Sequence, residues 1–326
     1  MSSPRRDDGR LPITIVGGFL GAGKSTWLRH QLHEGLFGSA HVIVNEAAET
    51  PVDNLLLTNA AHADVLAGGC ACCDGREAFV ALLRTICGMR DAQGAGAFDQ
   101  IVLETSGLAD PGAIATAISG DQMLARRLIV EDVIVLVDAC HGAAQLSDEA
   151  LCRAQIEAAD RIIITKSDEP SARDTDRLIQ TLKLLNPSAN IEGAEKGVPV
   201  KLPAHDDATP YPLSGSGIET VPIKPHRLDI SGGGGWASFS VWLSAVLTAR
   251  GNDIVRVKGV VGSPDGRLLL QSVRNVVQPP EILPEPDDTG NGFLAPAEGV
   301  IVLIGRHIDE PTLERSWQKF VMGTGS

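Results

Sequence analysis

Short apolar runs alternate with segments of helical periodicity through the N-terminal part of the chain. Residues 25–36 place Leu28, Leu32 and Leu36 on one helical face, directly after an apolar run that ends in glycines. Apolar runs without polar alternation are typical of strands buried on both faces of a parallel sheet. The pattern predicts an α/β fold with a mostly parallel sheet covered by helices. Strands are expected at residues 11–17, 41–45, 101–104, 133–138 and 161–165.

The pattern weakens between residues 189 and 226, where Pro, Gly, Ser and Asp accumulate as in a connection between domains. Beyond it, SFSVWLSAVL predicts an amphipathic helix, DIVRVKGVV, GRLLLQSV and GVIVLIG predict strands, and ERSWQKFV predicts a closing helix. We therefore expect an α/β domain at residues 10–200, a linker at 201–225 and a smaller α+β domain at 226–322.

A phosphate-binding motif follows the first predicted strand, in GGFLGAGKST. Its spacing fits GxxxxGK[ST], with a strand before it and a helix after it as that motif requires, and predicts a P-loop NTPase. In such a loop the backbone N–H groups surround the β-phosphate, Lys24 bridges the β- and γ-phosphates, and the Ser25 hydroxyl ligates Mg²⁺. The alternative is a glycine-rich turn without a nucleotide. The predicted nucleotide-binding residues here are Gly18, Gly21, Ala22, Gly23, Lys24, Ser25 and Thr26.

A carboxylate and a glycine at ExxG spacing follow a later apolar run, in LETSGLADP. In P-loop NTPases this position senses the γ-phosphate. Glu104 is expected to hold Mg²⁺ through water, and the Gly107 N–H is expected to bond the γ-phosphate. Together with Lys24, these residues form the predicted catalytic group.

The sequence TKSD, after another apolar run, lies where a guanine-reading loop is expected. A carboxylate at Asp168 can accept both N1–H and N2–H of guanine, a donor pair that adenine lacks. Lys166 occupies the position of the lysine in NKxD. Thr165 stands in place of the asparagine. The motif favours GTP, and the alternative is an exposed lysine and aspartate in an ordinary loop.

Three thiols fall within four positions in GGCACC. Thiolates suit Zn²⁺, Co²⁺ or Cu(I), so Cys70, Cys72 and Cys73 are predicted metal ligands. Because a closed structural site usually has four ligands, a fourth ligand from elsewhere or an open position for transfer is implied. The alternative is redox-active or incidental cysteines. Cys87 and Cys152 share helical faces with apolar residues and are expected in the core.

Further metal-ligand candidates lie near the predicted ligand edge. His141 follows the strand predicted at residues 133–138, and the alternative is an ordinary loop histidine. Glu46, Glu49 and Asp53 in VNEAAETPVD occupy the place of a first switch segment. They are candidate contacts to Mg²⁺ or to a transition metal, and the alternative is a solvated acidic loop.

Charge and composition narrow the possible partners of this 326-residue chain, which is 43% hydrophobic and 21% charged with a formal net charge of −13. Nucleic acid and anionic membranes are disfavoured as partners because binding them requires clustered Lys and Arg.

The sequence also bears on localisation. The N-terminal MSSPRRDDGR lacks the apolar core of a secretory signal. Six cysteines, three of them within four positions, suit a reducing compartment. We expect a cytoplasmic protein.

On these residues the chain resembles a CobW-like GTPase, a metallochaperone group related to the urease and hydrogenase accessory GTPases. The resemblance covers nearly the whole chain. It implies GTP hydrolysis with Mg²⁺, coupled to binding of Zn²⁺ or Co²⁺ and its delivery to a client metalloprotein. The family's CxCC and switch glutamates match the thiols of GGCACC and the glutamates Glu46 and Glu49. The matching segments are GGFLGAGKST, VNEAAE, GGCACC, ETSGLADP, VDACH, TKSD, LNPSA and IVRVKGVV.

Three features depart from the family pattern. Thr165 replaces the asparagine of NKxD, NEAAE replaces the usual NEFGE, and the frequent histidine-rich stretch is absent from the sequence. The change at Thr165 leaves ATP as an alternative to GTP, and the absence of a histidine-rich stretch argues against metal storage. Related GTPases often dimerise, so a homodimer is a candidate assembly.

The combination of a phosphate loop and a thiol cluster suggests a linked switch. GTP with Mg²⁺ would order the switch segments and position the thiols for metal, and hydrolysis would release it. Two rival interpretations stay open at this point. One is a small-molecule kinase or ATP-dependent enzyme, and the other is a non-catalytic scaffold that nucleotide and metal stabilise.

Overall fold

The computed structural model describes residues 9–46, 62–67, 75–94, 97–203, 208–213, 224–251, 253–264, 266–273, 276–283 and 298–324. The chain forms two compact units. Among the described residues, the first unit covers 9–213 and the second covers 224–324.

The first unit is built on an eight-stranded sheet in the order β3-β2-β4-β1-β5-β6-β7-β8. The described neighbours run parallel up to β7, and β8 turns back antiparallel to β7. The predicted mostly parallel sheet is confirmed. The strands are β1 (Leu11–Gly18), β2 (Ala40–Glu46), β3 (His62–Ala67), β4 (Gln100–Glu104), β5 (Leu128–Asp138), β6 (Arg161–Thr165), β7 (Asn190–Glu195) and β8 (Val198–Val200).

Helices connect β1 to β2, β3 to β4, β4 to β5, β5 to β6 and β6 to β7. The central strands are buried along most of their length, and Ile13, Ile15 and Val102 are each 0% exposed. Continuous apolar sequence is therefore explained by helices on both faces of the sheet. The helices of this unit are α1 (Lys24–His33), α2 (Arg76–Gln93), α3 (Pro111–Gly120), α4 (Gln122–Arg127), α5 (Gly142–Asp148), α6 (Ala150–Ala158) and α7 (Ala172–Leu185).

Helix α1 is shorter than the leucine spacing predicts. It ends at His33, and Gly35 follows with a φ of 70°. Leu36 therefore lies beyond the helix and is 51% exposed. A glycine in the left-handed region just after a helix stops it, and this local signal overrides the continued leucine periodicity.

Strands β7 and β8 lie in a region whose weak pattern suggests a connection. Farther along, the ring of Tyr211 lies under the Arg177 guanidinium of α7, with 4.0 Å from the guanidinium carbon to the ring centroid. The Tyr211 hydroxyl donates to Asp174 of the same helix at 3.1 Å. The described residues 208–213 thus pack on α7 of the first unit.

The second unit is an α+β arrangement, as predicted, with an antiparallel sheet in the order β12-β11-β10-β14-β9 and β13 paired to β11. Phe239, Trp242 and Trp317 pack against one another with ring centroids 5.6–6.0 Å apart, which joins both helices of the unit in one core. The elements are β9 (Lys224–Asp229), α8 (Gly235–Arg250), β10 (Ile254–Ser263), β11 (Gly266–Val273), β12 (Val276–Val277), β13 (Glu281–Leu283), β14 (Val300–Gly305) and α9 (Glu310–Thr324).

Strand register determines which motifs meet at the ligand edge of the first sheet. Val16 of β1 is paired with Glu104 of β4, and Asp138 of β5 is paired with Thr165 of β6. The carboxyl ends of parallel strands are where ligands bind in such sheets. The predicted phosphate motif, which follows β1, and the predicted base motif, which follows β6, therefore lie at the same edge of the sheet with β5 between them. Within the described part of the chain, no helix is long and apolar enough to cross a membrane.

Candidate functional site

The loop after β1 adopts a compact conformation that leads directly into α1. Gly23 immediately precedes the helix with a φ of 84° and a ψ of 21°, a left-handed conformation that glycine adopts at little cost. Gly18 and Gly21 also have positive φ. This geometry turns the chain so that the N-terminus of α1 faces the loop, where its backbone N–H groups favour an anion.

Lys24 folds back across this loop. Its ammonium group donates to the carbonyl oxygen of Gly18 at 3.0 Å and to that of Phe19 at 3.1 Å. The side chain therefore lies over the concavity that the backbone forms. An ammonium in this place provides positive charge for the β- and γ-phosphates.

Ser25 and Glu104 meet although they are far apart in sequence. The Ser25 hydroxyl donates to the Glu104 carboxylate with an oxygen–oxygen distance of 2.5 Å, and Glu104 is 4% exposed. Hydroxyl and carboxylate oxygens are the ligands that Mg²⁺ prefers. The two residues thus fit the magnesium role predicted for them, with Ser25 as a direct ligand and Glu104 beside it.

The Gly107 backbone lies directly against the phosphate loop. A Cβ atom built at Gly107 would lie 2.7 Å from the backbone nitrogen of Leu20, closer than real Cβ contacts allow. Glycine is therefore required for this approach. On its other side, the Gly107 carbonyl accepts from the side-chain amide of Gln155 at 3.3 Å. We call Lys24, Ser25, Glu104 and Gly107, with the loop of residues 18–23, the phosphate corner.

The residues of TKSD lie at the end of β6, which β5 separates from β1. Lys166 has a φ of 56°, and its ammonium donates to the carbonyl of Gly21 at 3.0 Å and to the Asp138 carboxylate at 2.5 Å. Asp168 lies two residues on, in an exposed turn. We call Asp138, Thr165, Lys166 and Asp168 the base corner, which contacts the phosphate loop through Lys166.

Thr165 has a structural role that its motif position does not predict. Its hydroxyl is buried and lies 2.9 Å from the carbonyl oxygen of Ala22 and 3.2 Å from that of Val137. One hydroxyl proton can serve only one of these acceptors at a time. The threonine thereby joins the phosphate loop to β5 and β6.

Asp138 organises the loop between β5 and α5. Its side chain is 3% exposed and accepts from the backbone N–H of Cys140 at 2.8 Å, from that of His141 at 3.2 Å, and from Lys166. Burial alone would raise the pKa of the Asp138 carboxyl. The Lys166 ammonium and these N–H groups outweigh burial and hold that pKa below its usual range. The sequence signal for this residue is a carboxylate that ends an apolar strand.

The side chains of His141 and Cys140 both contact nearby carboxylates. The His141 ring nitrogen Nδ1 lies 3.2 Å from the Asp138 carboxylate. The Cys140 thiol donates to Glu169 at 3.3 Å, and partial desolvation together with this carboxylate raises the pKa of Cys140 to about 11. Cys140 is therefore protonated at neutral pH. A role for His141 as an auxiliary metal ligand stays a prediction.

The predicted transition-metal ligands fall mostly outside the described residues. Cys70, Cys72, Cys73, Glu49 and Asp53 all lie there, and for Glu46 the structure gives the backbone position in β2. In the parts of the chain that are described, no three His, Cys, Asp or Glu side chains come together as a metal site. Cys87 and Cys152 are buried at 2% and 5% exposure, in agreement with their expected place in the core.

Comparisons with known proteins agree with this geometry. A family model described as the CobW/HypB/UreG nucleotide-binding domain matches residues 12–192. A model described as the cobalamin synthesis protein cobW C-terminal domain matches residues 232–321. The resemblance seen in the sequence is thus confirmed.

Two of the relatives that match this chain in sequence have names that state a function. The zinc chaperone YjiA of Escherichia coli K12 is 31% identical over 281 residues, which cover 82% of this chain and 87% of the relative. The zinc-regulated GTPase metalloprotein activator 1 of Schizosaccharomyces pombe is 30% identical over 189 residues, which cover 56% of this chain and 45% of the relative.

A solved structure supports the fold. The crystal structure of Zn(II)-bound YjiA GTPase from E. coli superposes with a TM-score of 0.60 at 23% identity, over 95% of this chain and 99% of that one. The phosphate corner, the sheet order and the two family matches converge on one assignment. The chain belongs to the CobW/HypB/UreG family, with its nucleotide-binding domain followed by a cobW C-terminal domain.

Proposed function

We propose that this protein is a GTP-driven metallochaperone that binds a transition metal at Cys70, Cys72 and Cys73 and delivers it to a client protein. The chain is a GTPase, as its family and its GTPase relatives establish. The observation that carries the proposal is the contact between Ser25 and Glu104 at the edge where the thiol segment begins. The metal, the thiol ligands and the client are the parts that we infer.

The phosphate corner accounts for binding and cleavage of the γ-phosphate. Ser25, with Glu104 beside it, would hold Mg²⁺, which would supply charge neutralisation for the β- and γ-phosphates. Lys24 exchanges its contacts with Gly18 and Phe19 for the phosphates. Gly107, held against the phosphate loop, presents its backbone N–H to the γ-phosphate. Positioning and electrostatics of this kind provide most of the acceleration in phosphoryl transfer.

The base corner supports guanine as the base. Asp168 is exposed beside Lys166, which is anchored to the phosphate loop through Gly21. A carboxylate in that place can accept both N1–H and N2–H of guanine. Thr165 fixes the start of this loop through Ala22, so the missing asparagine does not leave the strand end unattached.

Strand register supports communication between nucleotide and metal. Val44 of β2 is paired with Glu104 of β4, and Glu46 of β2 is paired with Ala67 of β3. The thiol segment follows β3 directly in sequence. Since neighbouring strands lie about 4.8 Å apart, Glu104 at the end of β4 is roughly 10 Å across the sheet from Val65, two residues before the end of β3. Changes at the γ-phosphate thus have a short route to the segment that carries Cys70.

Zn²⁺ is the metal we propose first because the YjiA relative is a zinc chaperone. Co²⁺ is the second candidate, since it accepts the same thiolate ligands and tetrahedral geometry. We further propose that residues 226–322 contact the client metalloprotein, and that a homodimer is the assembly to test. The acidic net charge of −13 suits a protein that handles cations.

A metal titration tests the proposal directly. Reduced protein is titrated with Co²⁺ in the presence of Mg²⁺ with a non-hydrolysable GTP analogue, of Mg²⁺ with GDP, or without nucleotide, and thiolate-to-cobalt absorbance is recorded. We expect much tighter Co²⁺ binding with the analogue, and loss of the band in Cys72→Ser with Cys73→Ser. Cys87→Ser is the matched control, because Cys87 is a buried core thiol in α2. Equal affinity in all three states would contradict the coupling, and absence of the band would contradict the thiol site.

A further inference from the structure

Gln155 is a buried polar residue that neither the motifs nor the mechanism above uses. It lies in α6, is 1% exposed, and donates from its side-chain amide to the carbonyl oxygens of Ala109 at 2.8 Å and Gly107 at 3.3 Å. Both acceptors belong to the segment between β4 and α3. A buried amide that serves two carbonyls of one segment fixes where that segment lies.

The segment forms a tight turn. The backbone N–H of Ala109 donates to the carbonyl of Ser106 at 3.0 Å, and Ala109 is 0% exposed. Because the peptide bond between Ser106 and Gly107 is planar and trans, the Gly107 N–H points the opposite way from the Ser106 carbonyl. The turn therefore directs the Gly107 N–H outward, away from Ala109.

The turn is held between α6 and the phosphate loop. On one side, Gly107 is in close backbone contact with Leu20. On the other, Gln155 holds the carbonyls of Gly107 and Ala109. A shift of the turn toward α6 would break the first contact, and a shift toward the phosphate loop would overlap Leu20. The amide therefore sets the distance between the Gly107 N–H and the phosphate loop.

Helix α6 is itself a fixed support. The side-chain amide of Asn186 donates to the carbonyls of Ile156 and Ala159, both at 2.8 Å, and so caps the C-terminal end of α6. At the other end, the guanidinium of Arg153 donates to the Leu146 carbonyl of α5 at 2.6 Å. Because α5 and α6 connect β5 to β6, the support for the turn is continuous with the strands of the base corner.

We propose that Gln155 is a positioning residue for γ-phosphate recognition. It holds the turn so that the Gly107 N–H reaches the third phosphate of GTP, and it thereby contributes to discrimination between GTP and GDP. The proposal rests on the role of Gly107 given above. It predicts an effect on triphosphate binding that a general loss of stability would not produce.

The test compares nucleotide affinities of full-length variants by calorimetry with Mg²⁺, using a non-hydrolysable GTP analogue and GDP. Gln155→Met keeps the length of the side chain and removes the donor. We expect about a tenfold loss of affinity for the analogue, because two buried carbonyls lose their partner, and unchanged affinity for GDP. KM for GTP should rise accordingly.

Gln31→Met is the matched control. Gln31 lies in α1, is 7% exposed, and donates to the Gly197 carbonyl at 2.7 Å, away from the phosphate corner. It should lower stability without changing the ratio of the two affinities. If Gln155→Met does not fold, Gln155→Asn shortens the reach of the amide and should show the same selective loss.

Two results would overturn the inference. An unchanged ratio in a folded Gln155 variant would make the residue purely structural. A wild-type chain that binds the analogue and GDP equally would refute the role of Gly107 as well. Neither result depends on a transition metal, so the metallochaperone proposal is tested separately by the Co²⁺ titration.

Discussion

The phosphate corner and the base corner occupy the same sheet edge but are built in different ways. In the phosphate corner, Lys24 and Ser25 occupy motif positions that are predicted to contact the phosphates and Mg²⁺. In the base corner, Thr165 and Asp138 hold backbone groups of the protein itself. A position that must contact ligand is constrained by the chemistry of that ligand, whereas at Thr165, in place of the asparagine of NKxD, a side chain can hold the loop through main-chain groups instead.

The largest effect is expected at the phosphate corner. Lys24→Ala removes the ammonium that lies over the phosphate loop, so GTP hydrolysis should fall by at least about 100-fold. Turnover is measured with saturating Mg²⁺ and GTP. Lys319→Ala, an exposed lysine on α9, is the control and should hydrolyse GTP normally. Activity within a few-fold of wild type in Lys24→Ala would show that the loop does not act as a P-loop.

Asp138→Asn removes the buried carboxylate of the base corner. The variant loses the charge that pairs with Lys166 and should be destabilised by about 1–3 kcal/mol at pH 7. Because Lys166 and the backbone N–H groups hold the pKa of Asp138 below its usual value, the contribution is present above the unfolded pKa of about 3.9. It is lost as the pH falls through the lower folded pKa.

Urea denaturation at several pH values checks this expectation. The stability difference between wild type and Asp138→Asn should be constant from pH 7 to pH 5 and should shrink below about pH 4. Asp148→Asn, which removes an exposed carboxylate of α5, is the control and should leave stability nearly unchanged at every pH. A difference that grows on acidification would contradict the lowered pKa.

Thr165→Val tests the role of the hydroxyl at the position where the motif departs from NKxD. Valine keeps the shape and removes the hydroxyl that bonds Ala22 and Val137, so stability should fall by about 1–2 kcal/mol and GTP affinity about tenfold. Thr181→Val is the matched control, since Thr181 is also buried and donates to a helix carbonyl at 2.8 Å. It should lose stability alone. Equal GTP affinity in both variants would remove the bracing role of Thr165.

The smallest effect is expected at Cys140. Its thiol is exposed and lies 3.3 Å from the Glu169 carboxylate and 3.9 Å from the Lys166 carbonyl oxygen. A serine hydroxyl can donate to the same acceptors, so Cys140→Ser should change stability by less than about 0.5 kcal/mol. Nucleotide affinity should also be retained. Cys152→Ser places a hydroxyl in the core beside α5 and should cost more. A large loss of GTP binding in Cys140→Ser would assign the thiol to the base corner.

The apolar runs in the sequence predict the central strands of the first unit. The five apolar runs are strands β1, β2, β4, β5 and β6, because strands buried on both faces must be apolar throughout. The sequence pattern does not predict strands β3, β7 and β8, which lie near the sheet edges. HADVLA and NIEGAE mix polar and apolar residues, and β8 is only three residues long. The leucine face of α1 overestimated its length because Gly35 stops the helix.

The amino-acid sequence by itself determined the family and the parallel sheet, and it predicts the ligand-contacting positions, because phosphate chemistry requires glycines, a lysine and a hydroxyl at fixed spacing. Tertiary structure alone decided the partners of Thr165, Asp138 and Gln155. Each of these side chains bonds main-chain groups brought close by strand register or helix packing. Main-chain carbonyls and N–H groups are the same at every residue, so the letters of the sequence do not reveal which of them a buried side chain will meet.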